Sequence, residues 1–302
     1  MKSFFLSFIA SVSLLLTNVH GVNFNGMVTF GDSLSCTGNA CIHAVKPAPI
    51  CNLFPQGRFT NGDVWIEVLA EKLNLPRPKP SLIGGFNFAY GGATSGWEKS
   101  PNLLNVGHQI EDYLNRVKNK ADPNSLYIVW VGGNDIKNKV IPRSLIPNLR
   151  KHITELAKAG AKVFLIPNYP PLQKTPTAKG VTSLFGMGLE LLGKHLEFEN
   201  MDGFQERVVD FADSVADSGI QNLNKQLKTM LRELERTLQI TIYHFDTYHL
   251  FHEVTENLSD WGLSENDHLY LYDGFHPSAL VHEIVGNEAF NLLNRKKYTS
   301  RM

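Results

Sequence analysis

One serine and one histidine in this sequence each stand close to an aspartate, at opposite ends of the chain. Ser33 follows Gly31 and Asp32 at the end of an apolar run, and His276 lies three residues after Asp273. A histidine can take the proton of a serine hydroxyl and return it to a leaving group, while a carboxylate fixes the tautomer of the ring and stabilises the imidazolium. These residues therefore predict nucleophilic catalysis by Ser33, with His276 as the base and Asp273 as its partner.

Two glycine-containing turns offer the hydrogen-bond donors that such an attack requires. Gly91 and Gly92 follow the apolar run 86–89, and Gly132-Gly133-Asn134-Asp135 follows another apolar run. Attack on a carbonyl group develops an oxyanion, and preorganised donors aimed at that charge usually give the largest contribution to catalysis. Either glycine of the first turn can present an unobstructed backbone N–H, and Asn134 can present its side-chain amide. The residues alone do not choose between Gly91 and Gly92.

Each of these short motifs also occurs as an ordinary turn or helix cap, so their common position matters more than any one of them. Apolar runs with strand character alternate with helical patterns from Met27 onward, which is typical of a parallel sheet covered by helices. Because parallel strands end at one edge of the sheet, the serine, glycine and asparagine motifs are expected to meet there. The predicted strands are residues 27–30, 86–89, 126–131, 162–166 and 240–245.

Two of the flanking helices have clear patterns. Apolar residues recur at helical spacing in residues 106–118, at Val106, Ile110, Leu114 and Val117. The last helix is expected to have Pro277 in its first turn, where proline is favoured. Its apolar face would consist of Leu280, Val281, Ile284 and Val285. No internal repeat is visible, and we predict one domain over residues 22–302.

Taken together, the motifs resemble the four ordered blocks of the GDSL/SGNH hydrolases. The blocks are, in chain order, Gly31-Asp32-Ser33-Leu34, Asn87-Phe88-Ala89-Tyr90-Gly91-Gly92-Ala93, Gly132-Gly133-Asn134-Asp135 and Asp273 with His276. A further stretch, Gly57-Arg58-Phe59-Thr60-Asn61-Gly62, is similar to the Gly-Arg-Phe-Ser-Asn-Gly stretch of that family. The resemblance runs from Val28 to the last helix and is weakest after Pro170.

The resemblance implies a fold and a role for each motif residue. Ser33 is implied as the nucleophile and, through its backbone N–H, as the first oxyanion donor. Gly92 is implied as the second donor and Asn134 as the third, while Asp273 and His276 complete the triad. The implied fold is α/β, a flavodoxin-like three-layer α/β/α sandwich with a five-stranded parallel sheet.

Three cysteines, Cys36, Cys41 and Cys51, lie in one short stretch. An exported protein meets oxidising conditions, so two of them are expected to pair, but the spacing does not determine which two. Many lipolytic members of the family carry an aspartate where this chain has Cys36. The replacement removes a charge near Ser33, or commits the position to a disulfide with Cys41 or Cys51. A redox-sensitive loop and a passive structural staple are both compatible with this pattern.

Charge and histidine spacing argue against several classes of partner. Lys and Arg number 29, as do Asp and Glu, so the formal net charge at pH 7 is zero and no field favours nucleic acid. His244, His249 and His252 do not form the His-Glu-x-x-His arrangement of a zinc hydrolase. We therefore expect no metal, no cofactor and no nucleic-acid partner.

The first residues are typical of an export signal. Lys2 precedes an apolar run at 4–16, and small or polar residues follow it as far as Gly21. The run is too short to span a bilayer and has the length of a signal-peptide core. We expect residues 1–21 to be a signal peptide and the protein to be secreted or periplasmic.

The region from about 170 to 236 has no strand pattern, and apolar residues crowd the segment 181–198. The simplest interpretation is a set of amphipathic helices packed on the core. The sharper one is an inserted lid or acyl-chain surface, which would bring the protein to a membrane or micelle surface.

Family chemistry implies hydrolysis of a carboxylic ester through an acyl-serine intermediate. Export, the apolar segment and Pro170-Pro171-Leu172 are similar to the bacterial lipolytic branch, with its phospholipases A, lysophospholipases and glycerophospholipid:cholesterol acyltransferases. A lipid acyl ester is therefore the expected substrate, with an alcohol replacing water where acyl transfer occurs. The alternatives are a carbohydrate acetyl esterase, which needs a small acyl pocket, and a non-catalytic binding protein on the same scaffold. The second would lack a catalytic residue, and none is missing.

Overall fold

A computed structural model describes residues 23–42, 51, 55–98, 103–138, 143–180, 187, 204–271 and 273–299. The expected signal peptide lies outside these ranges, as does the apolar segment 181–198 apart from Met187. Both therefore stay predictions. Among the helices in the described ranges, none is long and apolar enough to cross a membrane.

Within the ranges that the structure describes, four parallel strands form the central sheet, in the spatial order β1-β2-β3-β4. They are β1 (Met27–Gly31), β2 (Leu126–Trp130), β3 (Val163–Pro167) and β4 (Thr241–Phe245). In register, Leu126 lies opposite both Met27 and Val163. Four of the five predicted strands are thus confirmed to within one residue at each end.

The fifth predicted strand, residues 86–89, is wrong as a continuous strand, because the segment makes only isolated bridges. The Phe88 N–H donates to the carbonyl of Thr29 in β1 at 2.7 Å. On the outer side, Asn87 makes one backbone bridge with Pro80. The side-chain amide of Asn39 donates to the carbonyls of Asn87 and Ala89, at 2.8 and 3.0 Å, so a side chain rather than a further strand residue satisfies the Ala89 carbonyl. When this edge segment is counted beside β1, the order becomes the 2-1-3-4-5 of flavodoxin-like folds.

Helices cover both faces of the sheet. They are α1 (Asn39–Ile42), α2 (Trp65–Lys72), α3 (Val106–Arg116), α4 (Gly133–Asn138), α5 (Leu145–Lys158), α6 (Phe204–Leu238), α7 (Thr247–Glu256) and α8 (Ala279–Thr299). Short 3-10 turns lie at Ser33–Ser35, Pro55–Gly57, Ser81–Ile83, Leu172–Lys174 and Leu258–Trp261. Helices α3, α5 and α6 pack in one core with Tyr127 and Val129 of β2. Helices α2, α7 and α8 pack in the other with Leu126, Ile128 and Trp130.

This alternation along β2 is what a strand buried on both faces requires, because successive side chains point to opposite sides. The α/β class and the three-layer arrangement are confirmed, with four strands rather than five. Helix α3 begins where it was predicted and ends two residues earlier than its apolar stripe indicated.

The last helix begins later than predicted, at Ala279 rather than at Pro277. Pro277 pairs with Tyr270 in an antiparallel bridge, so it belongs to the loop before the helix. The side-chain oxygen of Asn61 accepts the N–H of Ala279 at 2.7 Å and caps the helix from a distant part of the chain. The cap explains the start of α8, since the first N–H groups of a helix have no partner within it.

Helix α6 is 35 residues long and uses its two halves differently. The second half buries Leu227 and Leu234 in the core shared with the sheet. The first half carries Phe211 and Val215, two large apolar side chains that are exposed.

The carboxyl end of β1 is fixed by a buried glutamine. The side chain of Gln109 accepts the N–H of Gly31 at 2.9 Å and donates to the Gly31 carbonyl at 2.9 Å. It donates also to the carbonyl of Leu104 at 2.7 Å. A Cβ atom at Gly31 would lie 2.3 Å from the carbonyl oxygen of Trp130, so glycine is required there. Gln109 thus determines where the chain leaves the sheet toward Ser33.

Replacing Gln109 by alanine should lower the free energy of unfolding by about 2 kcal/mol, because the buried N–H of Gly31 would lose the side-chain oxygen that accepts it. Chemical denaturation monitored by circular dichroism measures the change. Glu111→Ala, on an exposed position of the same helix, is the control and should change stability by less than about 0.5 kcal/mol. Equal effects of the two substitutions would contradict this account of Gln109.

Candidate active site

Ser33, His276 and Asp273 form one hydrogen-bonded chain at the carboxyl edge of the sheet. The Oγ atom of Ser33 lies 2.9 Å from Nε2 of His276. The Nδ1 atom of His276 lies 2.5 Å from Oδ2 of Asp273. If Nδ1 carries the proton that the Asp273 carboxylate accepts, Nε2 is left to accept the serine hydroxyl, which is the tautomer that a general base needs.

The carboxylate of Asp273 is held in its charged form. Burial on its own would raise its pKa, but hydrogen bonds from the His276 ring and from the N–H groups of His276 and Phe275 outweigh burial and lower the pKa to about 2. The two backbone bonds to Oδ1 measure 2.9 Å from Phe275 and 3.0 Å from His276. Because Asp273 stays ionised at neutral pH, it can stabilise an imidazolium at His276.

The loop that carries this pair is tied down on two sides. The N–H of Leu271 donates to the carbonyl of His276 at 2.8 Å, closing the loop on itself. Thr177, outside the loop, donates its N–H to the carbonyl of Gly274 at 3.1 Å and its hydroxyl to the carbonyl of Asp273. Gly274 has a φ of 63°, and a Cβ there would lie 2.7 Å from the Thr177 hydroxyl, so glycine permits this close approach.

Ser33 opens a 3-10 turn directly after β1. Asp32 precedes it and accepts the N–H of Leu34 at 3.1 Å through its side chain, which caps the turn. At the end of the turn, the indole N–H of Trp65 donates to the hydroxyl of Ser35 at 3.0 Å. The turn is thus fixed at both ends, and the Ser33 side chain faces His276.

Two of the three oxyanion donors that the resemblance implies line a common cavity. Ser33 and Asn134 both line the same cavity, whereas Gly92 is not among its lining residues. The Asn134 amide donates to the carbonyl of Ala93, the residue after Gly92, at 3.0 Å, and so it contacts the glycine turn directly. Gly92 has a φ of 85°, a conformation that glycine adopts without strain.

Asp135, beside Asn134, binds Ser95 just after the Gly91-Gly92 turn and so supports that turn. The sequence motif alone did not reveal this role. Its buried carboxylate accepts the hydroxyl of Ser95 at 2.6 Å and the N–H of the same residue at 3.0 Å. Asn148 then donates to the Ser95 hydroxyl at 3.0 Å. The only sequence signal for this support is the aspartate that ends the Gly-Gly-Asn-Asp motif.

A cavity of about 610 Å³, its open mouth included, lies beside Ser33. Most of its walls are apolar or aromatic, and they come from segments far apart in sequence, among them Leu34, Trp130, Tyr169, Pro171, Leu172, Phe251, Tyr270 and Phe275. No pattern in the sequence identified Phe251 or Tyr270, because the tertiary fold brings them to the site.

The cysteine pairing is Cys41 with Cys51. Cys36 is a free thiol and fully buried, so the alternative that committed it to a disulfide is wrong. Its replacement of aspartate therefore removes a charge near Ser33. Among the parts of the chain that the structure describes, no group of three or more His, Cys, Asp or Glu side chains is arranged to hold a metal ion.

Asp32 is the second buried carboxyl of the site and behaves oppositely to Asp273. Burial raises its pKa to about 7, with a contribution from the charge of Asp135, although the bond from the Leu34 N–H opposes the shift. The folded chain therefore binds a proton at Asp32 more tightly than the unfolded chain does. Stability from this group is fully present below pH 4 and is lost as the pH rises toward about 7.

Replacing Asp32 by asparagine should remove this pH dependence, because the amide keeps the shape and the acceptor for Leu34 without an ionisable proton. The free energy of unfolding of D32N relative to the parent protein should increase between pH 4 and about pH 7 and then level off. Denaturant titrations at each pH provide the measurement, with the exposed Asp260→Asn as control. A constant difference between D32N and the parent across this range would contradict the assignment.

Several known proteins are similar to this chain in sequence. The chain is 34% identical over 160 residues to the thermolabile hemolysin of Vibrio parahaemolyticus, covering 51% of this chain but only 36% of that protein. It is 25% identical over 280 residues to the phosphatidylcholine-sterol acyltransferase of Aeromonas hydrophila, covering 88% of this chain and 72% of that protein. An acetylesterase of Thermothelomyces thermophilus is 26% identical over 219 residues, covering 64% of this chain and 70% of that protein.

Among solved structures, a lipolytic protein of the G-D-S-L family from Veillonella parvula aligns with 87% of this chain and 94% of its own, at 16% identity and a TM-score of 0.45. The sequence model of the GDSL-like lipase/acylhydrolase family matches residues 27–289. This match takes in β1, the glycine turns, Asn134 and the Asp273–His276 loop. Because it covers most of the sequence, the chain belongs to the GDSL-like lipase/acylhydrolase family.

Proposed function

We propose that this protein is a serine ester hydrolase in which Ser33 attacks the carbonyl carbon of a lipid acyl ester. The observation that carries the proposal is the chain of short contacts from Ser33 through His276 to Asp273. Such a chain turns a weakly acidic hydroxyl into a nucleophile, because the base that removes its proton is already in contact. The apolar cavity beside Ser33 gives the acyl group a place to bind.

In the proposed reaction, the Ser33 Oγ atom bonds to the ester carbon as its proton moves to His276 Nε2. The carbonyl oxygen becomes an oxyanion, for which the donors are the N–H of Ser33, the N–H of Gly92 and the amide of Asn134. The tetrahedral intermediate collapses, the C–O bond to the alcohol breaks, and His276 returns the proton to the departing oxygen. Water then repeats the sequence on the acyl-serine and releases the acid.

The lipid part of the proposal rests on the composition of the cavity. Leu34, Leu172, Phe251 and Phe275 line it, and apolar walls favour a hydrocarbon chain over a hydrated sugar. The relative from Aeromonas hydrophila, named for a phosphatidylcholine and a sterol, supports a phospholipid or lysophospholipid head group. The same relative also supports acyl transfer to an alcohol in place of water. It supports, in addition, action at a membrane or micelle surface.

We propose further that the protein is secreted or periplasmic. The Cys41–Cys51 disulfide supports an oxidising compartment, and the apolar run after Lys2 supports export. A second candidate function is that of an acetyl esterase, which the similarity to the acetylesterase of Thermothelomyces thermophilus favours. The apolar and aromatic lining of the cavity favours a longer hydrocarbon chain over an acetyl group.

The first test of the proposal is Ser33→Ala, which should lower kcat by roughly 10⁴-fold or more, because the acyl-serine cannot form. Hydrolysis of p-nitrophenyl butyrate measures the loss, and mass spectrometry after reaction with an organophosphate should find the label on Ser33. Ser259→Ala, at an exposed serine that does not line the cavity, is the control and should keep the parent rate. Turnover in S33A at the parent rate would refute the proposal.

The second test concerns the acyl chain. The parent protein should hydrolyse p-nitrophenyl esters of medium or long acids and lysophosphatidylcholine with a higher kcat/KM than p-nitrophenyl acetate. Leu172→Trp should fill part of the cavity and lower the rate on long esters by about tenfold or more, while the acetate rate in the same variant serves as an internal control. Activity confined to acetyl esters would favour the acetyl esterase instead.

A further inference from the structure

The Gly57–Gly62 stretch, which resembles a family motif, has no role in the reaction as described so far. Its phenylalanine, Phe59, is 8% exposed and contacts two parts of the site. The ring centroid lies 5.2 Å from that of His276, with 37° between the planes. On the other side the ring takes the space of a side chain at Gly91, where a Cβ would lie 2.1 Å from its Cζ atom.

We propose that Phe59 is a positioning residue that holds the imidazole of His276 and the Gly91-Gly92 turn at a fixed separation. The inference rests on the proposed function, since it concerns the base and the oxyanion turn of that reaction. A rigid ring between the two parts transmits the position of one to the other, because packed side chains resist compression.

The segment around Phe59 is itself rigid, because an ion pair holds its neighbour. Arg58 donates to both carboxylate oxygens of Glu67, at 2.7 Å each, and to the side chain of Gln56 at 2.5 Å. The side chain of Glu67 is fully buried in α2, and Arg58 is nearly so. A buried bidentate pair fixes the orientation of the backbone that carries it.

The other end of the stretch is fixed to the helix that follows His276. Asn61 caps α8 at Ala279. Gly62 packs so closely that a Cβ there would lie 2.8 Å from the Cβ of Ala279. In the sequence, Phe59 therefore lies between Arg58, which binds α2, and Asn61, which binds the start of α8.

Phe59 also reaches the segment that follows the nucleophile. It forms a small buried cluster with Cys36, against which Ala40 and Leu271 pack. Burial raises the pKa of the Cys36 thiol, although the nearby backbone N–H groups of Gly91 and of residues 38–40 oppose the shift. Because the same cluster touches segments after Ser33, before His276 and at Gly91, one ring joins the three loops of the proposed site.

The contact with His276 has an electrostatic consequence. An aromatic face within about 6 Å of a cation attracts it, so Phe59 favours the imidazolium that forms when Ser33 loses its proton. Asp273 and His282 are two titratable groups that interact with His276. His282 stays neutral near pH 7, because burial, and then the charge of His276, lower its pKa to about 3.

Phe59→Leu keeps an apolar side chain but removes the ring. We expect kcat to fall about tenfold with little change in KM, and the acidic limb of the kcat/KM profile to move to lower pH by about half a unit. Phe290→Leu, a partly buried phenylalanine packed in another core, is the matched control and should leave the limb in place. Thermal unfolding checks that each variant folds; if F59L does not, Phe59→Met allows the same comparison.

A double-mutant cycle tests the contact with the oxyanion turn. Gly91→Ala should lower kcat strongly in the parent, because the new methyl group meets the Phe59 ring. In the Phe59→Ala background, the fold reduction in kcat that Gly91→Ala causes should be at least ten times smaller. The proposal would be overturned if the acidic limb did not move in F59L, or if G91A lowered kcat by the same factor in both backgrounds. If S33A remained inactive, the proposed function would still stand. Turnover in S33A at the parent rate would instead refute the proposed function, and the role of Phe59 with it.

Discussion

The contact of 2.9 Å between Ser33 and His276 joins residues that are 243 positions apart, and the rest of the site depends on it. A hydrogen bond of this length tolerates little displacement of either loop. One partner is fixed by the end of β1, where Gln109 holds both polar groups of Gly31. The other is fixed by the start of α8, where Asn61 caps the helix. Contacts far from the serine therefore determine whether the base can reach it.

Two aspartates near the nucleophile have their pKa values shifted in opposite directions. Burial raises that of Asp32 to about 7, while hydrogen bonds, overcoming burial, lower that of Asp273 to about 2. Two carboxyl groups of the same kind can have different protonation states, and so different roles, when their surroundings differ. In the proposed reaction, Asp273 is an anion beside the imidazolium that would form at His276, whereas Asp32, when protonated, adds no negative charge beside Ser33.

Much of this fold follows from local patterns. The parts that do not follow from them have one cause in common. The four strands and the pairing of Asp273 with His276 were predictable because periodicity and short spacing are local properties. The edge segment at 86–89 and the start of α8 were not, because the side chains of Asn39 and Asn61 satisfy backbone groups there. Disulfide pairing and the walls of the cavity depend likewise on tertiary contacts. The role of Gly92 stays a prediction from the family motif.

Glu67 shows how such contacts restrict the evolution of the chain. Its carboxylate accepts from Arg58, from Arg77 at 2.9 Å and from the N–H of Val64 at 3.1 Å. Loss of Glu67 would leave the nearly buried Arg58 without its carboxylate partner, at a cost of about 3–5 kcal/mol, a large share of the roughly 5–15 kcal/mol that stabilises a typical domain. Loss of Arg58 would leave the fully buried carboxylate with one cation, the half-exposed Arg77, in place of two. Selection would then remove most single replacements of Arg58 or Glu67, while a joint exchange for two apolar residues of similar volume could survive. In homologous sequences, these two positions should therefore change together.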